Sequence, residues 1–208
     1  MIFTNRFDAA KELAKKLQKY KNNKNAIILA IPRGGVQTGY ILAKELNLKL
    51  DIVLTKKIGY PGNAEYAIGS VSLKSKFINE KHKDISHDYI ESEVKRIRKI
   101  LKERYKKYLG DKKPTSLKNK IVIITDDGVA TGSTILAAIE LIKREEPKKI
   151  IVAVPVGPAD TIKQLKKKAD EVICLLIPEM FYAIGQFYQE FTQVEDEEAI
   201  RLLKEVSK

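Results

Sequence analysis

The chain has 208 residues, is 44% hydrophobic and carries a formal net charge of +12. That length and apolar content suffice for one well-buried core, so a single domain with a small appendage is expected. No apolar run reaches the roughly 20 residues that span a bilayer, and Met1–Arg6 lacks the charged start and apolar middle of a secretory signal, so a cytoplasmic protein away from membranes is expected. Phe7, Ala10, Leu13, Ala14 and Leu17 recur at helical spacing and predict a helix from about residue 6 to Tyr20. After an Asn/Lys-rich break, Ala26–Ile31 is a short continuous apolar run, the pattern of a buried strand. It stops at Pro32-Arg33-Gly34-Gly35, and Val36–Leu46 resumes as a helix. Asp51–Thr55 reads as a second strand, residues 56–66 as a loop containing Gly, Pro and Asn, and Ala67–Leu73 as a further strand.

Polar, weakly patterned sequence then runs to Ser86, and the two histidines, His82 and His87, lack metal-ligand spacing. Ile90, Val94, Ile97, Leu101, Tyr105 and Tyr108 step by three or four and mark a long amphipathic helix. Beyond a linker containing Pro114, strands at 120–125, 149–154 and 171–177 alternate with helices at 134–145 and 160–168. The lone cysteine, Cys174, lies in the last of these strands; it rules out a disulfide framework and reads as a small core residue. An aromatic-rich segment, 178–191, and a helix at about 196–206 complete the chain. Strands alternating with helices predict an α/β fold of three layers, a mostly parallel twisted sheet with helices on both faces.

Residues 88–120 hold twelve Lys/Arg and five Asp/Glu, so this region carries +7 of the net charge. A positive field there would attract RNA, DNA or phosphorylated small molecules. A solvated lysine-rich helix face is the reading preferred, because no basic-and-aromatic nucleic-acid signature accompanies the charge.

In a parallel sheet, ligands bind beyond the carboxyl ends of the strands, where the topology switches. Three strand ends are unusual here: Ile31 into Pro-Arg-Gly-Gly, Thr55 into Lys56-Lys57, and Thr125 into Asp126-Asp127-Gly128. The stretch Gly128-Val129-Ala130-Thr131-Gly132-Ser133-Thr134 offers consecutive backbone amides, hydroxyls and a helix start, which together form a phosphate receptor. It is not a Walker loop, since no lysine precedes Ser133 or Thr134. Two carboxylates beside an anion site would repel a bare phosphate. They make sense if they face neutral hydroxyls, or a metal that offsets their charge, and a sugar phosphate satisfies the first condition.

The segment Ile-Ile-Thr-Asp-Asp-Gly-Val-Ala-Thr-Gly-Ser-Thr, ending at Thr134, resembles the phosphoribosyl-diphosphate (PRPP) signature of the type I phosphoribosyltransferases. Three further segments follow that family's order. Arg33-Gly34-Gly35 resembles its pyrophosphate loop, residues 56–67 its mobile active-site loop, and residues 178–191 the hood that covers the base. Ala-Ile-Pro-Arg-Gly-Gly-Val and Phe-Tyr-Ala-Ile-Gly-Gln-Phe-Tyr narrow the likeness to a branch of predicted phosphoribosyltransferases with no assigned substrate. The resemblance implies a core over 1–177 and a hood with a terminal helix over 178–208. It also implies transfer of a 5-phosphoribosyl group from PRPP to a nitrogen acceptor, with pyrophosphate released and Mg²⁺ held mainly by PRPP oxygens.

By the same resemblance, residues 129–134 hold the 5-phosphate and Asp126 and Asp127 the ribose hydroxyls. Arg33, Gly34 and Gly35 cradle pyrophosphate, with Lys56 and Lys57 neutralising it or remaining solvated. Tyr182 stacks on a purine-like base. Where hypoxanthine/guanine-type members carry an acid, this chain has Ala130, and a metal-binding aspartate of the hood is replaced by Gln189. Adenine-type members share Ala-Thr-Gly here and carry Glu-Tyr in the loop, which points to Glu65, beside Tyr66, as a proton-exchanging group with a pKa raised by lid closure. A homodimer is also implied. The alternative is a PRPP-sensing regulator that binds RNA or DNA through the basic helix.

Overall fold

The computed structural model describes residues 2–82 and 85–206. Its centre is a five-stranded parallel sheet in the order β2-β1-β6-β7-β8. The strands are β1 (Ala26–Ala30), β2 (Lys49–Ile52), β6 (Ile121–Thr125), β7 (Lys149–Val156) and β8 (Glu171–Leu176). Alternate side chains of each strand leave for opposite faces, so each face needs its own helices. Ile28, Ala30, Ile52, Ile123 and Ile151 pack beneath α1 (Arg6–Lys16), α2 (Gly34–Leu46), α3 (His87–Leu109) and α6 (Asp196–Val206). Ile27, Leu29, Val122, Ile124 and Val152 pack beneath α4 (Ser133–Lys143) and α5 (Ala159–Lys166). The expected three-layer α/β architecture is what the chain adopts.

The strand order reverses direction beside β1: β2 lies on one side of it, and β6, β7 and β8 follow on the other. Ala30 and Thr125 are register partners at the ends of β1 and β6. The loops Pro32–Gly35 and Asp126–Gly132 therefore leave the sheet side by side at the switch point.

Residues 56–66 are not an irregular loop. They form most of an antiparallel hairpin, β3 (Lys56–Tyr60) and β4 (Asn63–Val71), completed into a separate three-stranded sheet by β5 (Lys76–Ile78). The Pro61-Gly62 pair that suggested a loop supplies only the turn, with Gly62 at φ +77°. Ile58 and Ile68 are fully buried, which anchors the base of the hairpin to the body. Strand β2 also begins earlier than its apolar run suggested, and Asp51 is an interior strand residue.

Asp51 is 2% exposed and satisfied from three directions. It accepts from the Tyr105 hydroxyl at 2.9 Å, the Thr115 amide at 3.0 Å and the Ile52 amide at 2.8 Å. Burial and this carboxylate raise the Tyr105 pKa, so the phenol stays a donor. Tyr105→Phe should cost about 1–3 kcal/mol, read by urea unfolding, because it strips a donor from a buried acid without opening a cavity. A loss below a few tenths of that range would mean water replaces the hydroxyl.

On α3, Val94, Ile97, Leu101, Tyr105 and Tyr108 face the core, matching the amphipathic spacing. Several cations on its outer faces are already paired, including Arg96 with Glu93 at 2.7 Å, Lys106 with Asp111 at 3.0 Å and Lys107 with Asp196 at 2.5 Å. Helix α6 packs in the same layer, its Ala199, Leu202 and Leu203 joining the larger core cluster. No helix among the described residues is long and apolar enough to cross a membrane.

Candidate active site

The end of β6 presents Asp126 and Asp127 to the loop that follows β1. Helix α2 starts at Gly34, so the chain turns sharply after Pro32 and runs its first helical turn against the two acids. The approach is closer than any side chain allows. A Cβ on Gly34 would lie 2.0 Å from Oδ2 of Asp127, and one on Gly35 would lie 2.9 Å from both Cα of Asp126 and the carbonyl oxygen of Thr125. At Gly35 the obstacle is backbone at the strand end, whereas at Gly34 it is the Asp127 carboxylate, which would have to move aside.

Asp127 is buried and bonded to a residue that sequence reasoning missed. The Nε of Arg6 donates to its Oδ2 at 2.7 Å, with side-chain exposures of 7% and 12%. Arg6 is the first residue of α1, placed by the Asn5 cap, whose side chain accepts from the Asp8 amide at 3.1 Å. The Arg6 guanidinium lies 3.8 Å from the Phe191 ring centroid, and its Nη1 donates to the Thr192 carbonyl at 2.8 Å. A lone arginine in a first helical turn ordinarily reads as solvated, so no local signal distinguished it. At Asp126, burial and then the neighbouring Asp127 charge push the carboxyl well above the usual range.

After the acids the chain forms an open nest. The Val129 amide is spent on the Val156 carbonyl at 2.8 Å, and the Val129 side chain is buried, so Val129 shapes the loop and offers no donor. Gly132 takes the left-handed conformation at φ +73° as the residue before α4. Ala130, Thr131, Ser133 and Thr134 are exposed, and the Ser133 amide, first in α4, donates to the Thr131 hydroxyl at 3.4 Å. The Thr131 and Ser133 hydroxyls lie 3.0 Å apart, and the Thr161 hydroxyl fixes the Ala130 carbonyl at 2.7 Å. The result is a row of donors at a helix start, suited to an anion.

The hood crosses this edge. Ile184 packs over Gly128, where a Cβ would meet it at 2.6 Å, and the Tyr188 hydroxyl donates to the Asp127 carbonyl at 2.5 Å. Phe187 and Tyr188 are buried, with Phe3 pairing onto the segment, so these aromatics pack the hood to the body. Tyr182 is 84% exposed.

The remaining sequence candidates fall into two clefts. Arg33, Gly34, Asp127 and Arg6 border a cavity of about 410 Å³, where Nη1 of Arg33 reaches Glu195 at 3.4 Å. Lys56, Lys57 and Glu65 border another of about 700 Å³, opposite Ser133 and Thr134. Glu65 does not have the enclosed, raised-pKa character expected of it in this conformation. Its side chain is 91% exposed and accepts from Lys57 Nζ at 2.8 Å, and that bond lowers its pKa. His82, given no role, sets its ring 5.3 Å from that of Tyr66. Cys174 has its thiol pushed up to about 11 by burial, which leaves it inert. Among the described residues no cluster of three or more His, Cys, Asp or Glu could hold a metal.

Residues 2–192 match the family model of the phosphoribosyl transferase domain. The chain belongs to that family. A Mycobacterium tuberculosis (H37Rv) protein described as a "putative phosphoribosyl transferase" is 34% identical over 209 residues, which is 97% of this chain and 46% of the relative. The chain thus spans about half the length of the curated relatives it matches. The crystal structure of TT1426 from Thermus thermophilus superimposes with a TM-score of 0.85 at 34% identity, covering 99% of both chains. A hypoxanthine phosphoribosyltransferase from Staphylococcus aureus shares the fold at a TM-score of 0.51 and 17% identity, over 86% of this chain and 78% of that one. In this phosphoribosyl transferase domain, the PRPP-like signature and the Pro-Arg-Gly-Gly loop meet at one sheet edge.

Proposed function

We propose that this chain transfers the 5-phosphoribosyl group of PRPP to a nitrogen of a purine-like base and releases pyrophosphate, acting as a cytoplasmic homodimer. The observation that carries the reading is the contact between Gly34-Gly35 and Asp126-Asp127, which makes one site of a bare backbone loop and two carboxylates. The amides and hydroxyls of residues 130–134 bind the 5-phosphate. Asp126 and Asp127 accept the ribose hydroxyls. The backbone of Arg33–Gly35 cradles the diphosphate, with the Arg33 fork beside it. The transition state resembles an oxocarbenium ion, so rate comes from holding the sugar and stabilising departing charge more than from a strong nucleophile.

Mg²⁺ suits a site of this composition when diphosphate oxygens and water coordinate it, because Asp127 is already bonded by Arg6 and no protein cage surrounds it among the described residues. When bound, it would neutralise the leaving group. Lys56 and Lys57 reach the diphosphate when the β3–β4 hairpin closes. That movement takes Lys57 from Glu65 and removes the bond that lowers the Glu65 pKa, freeing this carboxylate to exchange a proton with the base. Tyr182, exposed on the hood, stacks on the acceptor.

The decisive experiment is calorimetry of PRPP with Mg²⁺ against the purified chain. Saturable heat is expected, and no heat would sink the reading. A thermal-shift panel of nucleoside monophosphates then identifies the acceptor, because ligands of the native state raise its apparent stability. With the acceptor known, Glu65→Gln should lower kcat about 100-fold while PRPP affinity stays within a few fold. Unchanged turnover would remove Glu65 from the mechanism.

A further inference from the structure

Arg6 belongs to none of the segments that resemble a known site, yet it is among the most constrained side chains near the acids. It is 6% exposed, and a charged residue is almost never so buried unless paired. Three contacts fix its plane: the ion pair to Asp127 at 2.7 Å, the bond to the Thr192 carbonyl at 2.8 Å, and the Phe191 ring at 3.8 Å. Arg6 also borders the cavity shared with Arg33 and Gly34. A surface ion pair would need none of this.

We propose that Arg6 is a positioning residue for the sugar site: it clamps Oδ2 of Asp127 so that the other carboxylate oxygen faces the ligand's hydroxyls, and through Thr192 and Phe191 it ties the hood to that geometry. The proposal rests on the sugar-phosphate reading given above. Two adjacent carboxylates beside an anion-binding nest would otherwise repel the ligand they serve. Arg6 offsets one of the two charges while leaving a lone-pair acceptor on each acid. Its guanidinium suits the task better than an ammonium, because a planar fork can hold a carboxylate, a carbonyl and an aromatic face at once.

The test compares ribose 5-phosphate with 2,3-dideoxyribose 5-phosphate, measured by NMR titration, which reads millimolar affinities. In the wild type the hydroxyls should strengthen binding. Arg6→Gln should weaken ribose 5-phosphate binding about tenfold or more and leave the dideoxy compound within twofold. Arg6→Lys should recover part of the loss. Asp127→Asn combined with Arg6→Gln should cost no more than the larger single effect. Equal losses for both ligands, or additive losses, would reduce Arg6 to a structural strut and overturn the proposal.

Should Arg6→Gln fail to fold, hydrogen exchange on the wild type decides. Ribose 5-phosphate should slow exchange of amides in 187–193, while the dideoxy compound at saturation should not. Equal protection by both refutes the link between hood and sugar. A wild type that binds no ribose 5-phosphate defeats the sugar-phosphate reading itself; wild-type binding with unaltered discrimination in Arg6→Gln defeats only the role of Arg6.

Discussion

A Gly34→Ala variant is expected to remain folded and to lose PRPP affinity by about 100-fold, the scale on which an ångström of misplacement acts at a preorganised site. The new methyl would stand 2.0 Å from Oδ2 and 2.6 Å from Cγ of Asp127. Something must move. The Asp127 side chain can yield, but only by leaving Arg6, whose own plane is held by Phe191 and the Thr192 carbonyl. The loop could instead lift away from the acids, which separates the two halves of the site. Lifting the loop disturbs the ligand more than the core, whereas unpairing Arg6 costs stability as well.

Gly35→Ala separates the two costs. Its methyl would meet the Thr125 carbonyl and Asp126 Cα, both at 2.9 Å, and these are backbone atoms at the end of a central strand. They cannot rotate aside. This variant should lose about 1–3 kcal/mol of stability as well as binding. Calorimetry and urea unfolding on the two variants distinguish the outcomes, and Gly34→Ala binding within threefold of wild type would show that the contact lies outside the ligand site.

The fold was legible from the sequence because its signals are local. Short apolar runs separated by helical periodicity leave little besides a parallel sheet, and the layers follow from the alternation of Ile27 and Leu29 against Ile28 and Ala30. The acids and the nest were legible for the same reason, as consecutive residues at one strand end. What escaped depends on partners distant in the chain. Arg6 meets Asp127 across 121 positions, and Asp51 meets Tyr105 across 54. Neither residue has a neighbour that betrays its burial. The hairpin was misread because Pro61, Gly62 and Asn63 dominate a composition-based view, while the strand pairing of Lys57 with Ser70 is visible only once the turn is closed. Glu65 shows a further limit: pairing with Lys57 across the hairpin lowers the pKa that enclosure was expected to raise.

The twin aspartates should respond to substitution with opposite signs in stability, although both variants lose ligand. Asp126 has its folded-state pKa raised by burial and by Asp127. An acid of that kind favours the fold below its unfolded pKa of about 4, and the contribution is lost as pH rises through the higher folded value. At neutral pH the raised pKa of Asp126 therefore opposes folding. Asp126→Asn should raise the melting temperature by a few degrees at pH 7.5 and by little near pH 4, while weakening PRPP binding about tenfold. Asp127→Ala should do the reverse, because it leaves the Arg6 guanidinium buried without its counter-charge, a loss of roughly 3 kcal/mol. Melting curves across pH for the two variants read both signs directly. If Asp126→Asn melts with the wild type at every pH, burial of that carboxylate carries no cost, and the strain attributed to two like charges at one strand end is absent. If instead it stabilises the fold and loses the ligand, the second acid is kept for binding at the expense of the fold, as a functional site requires.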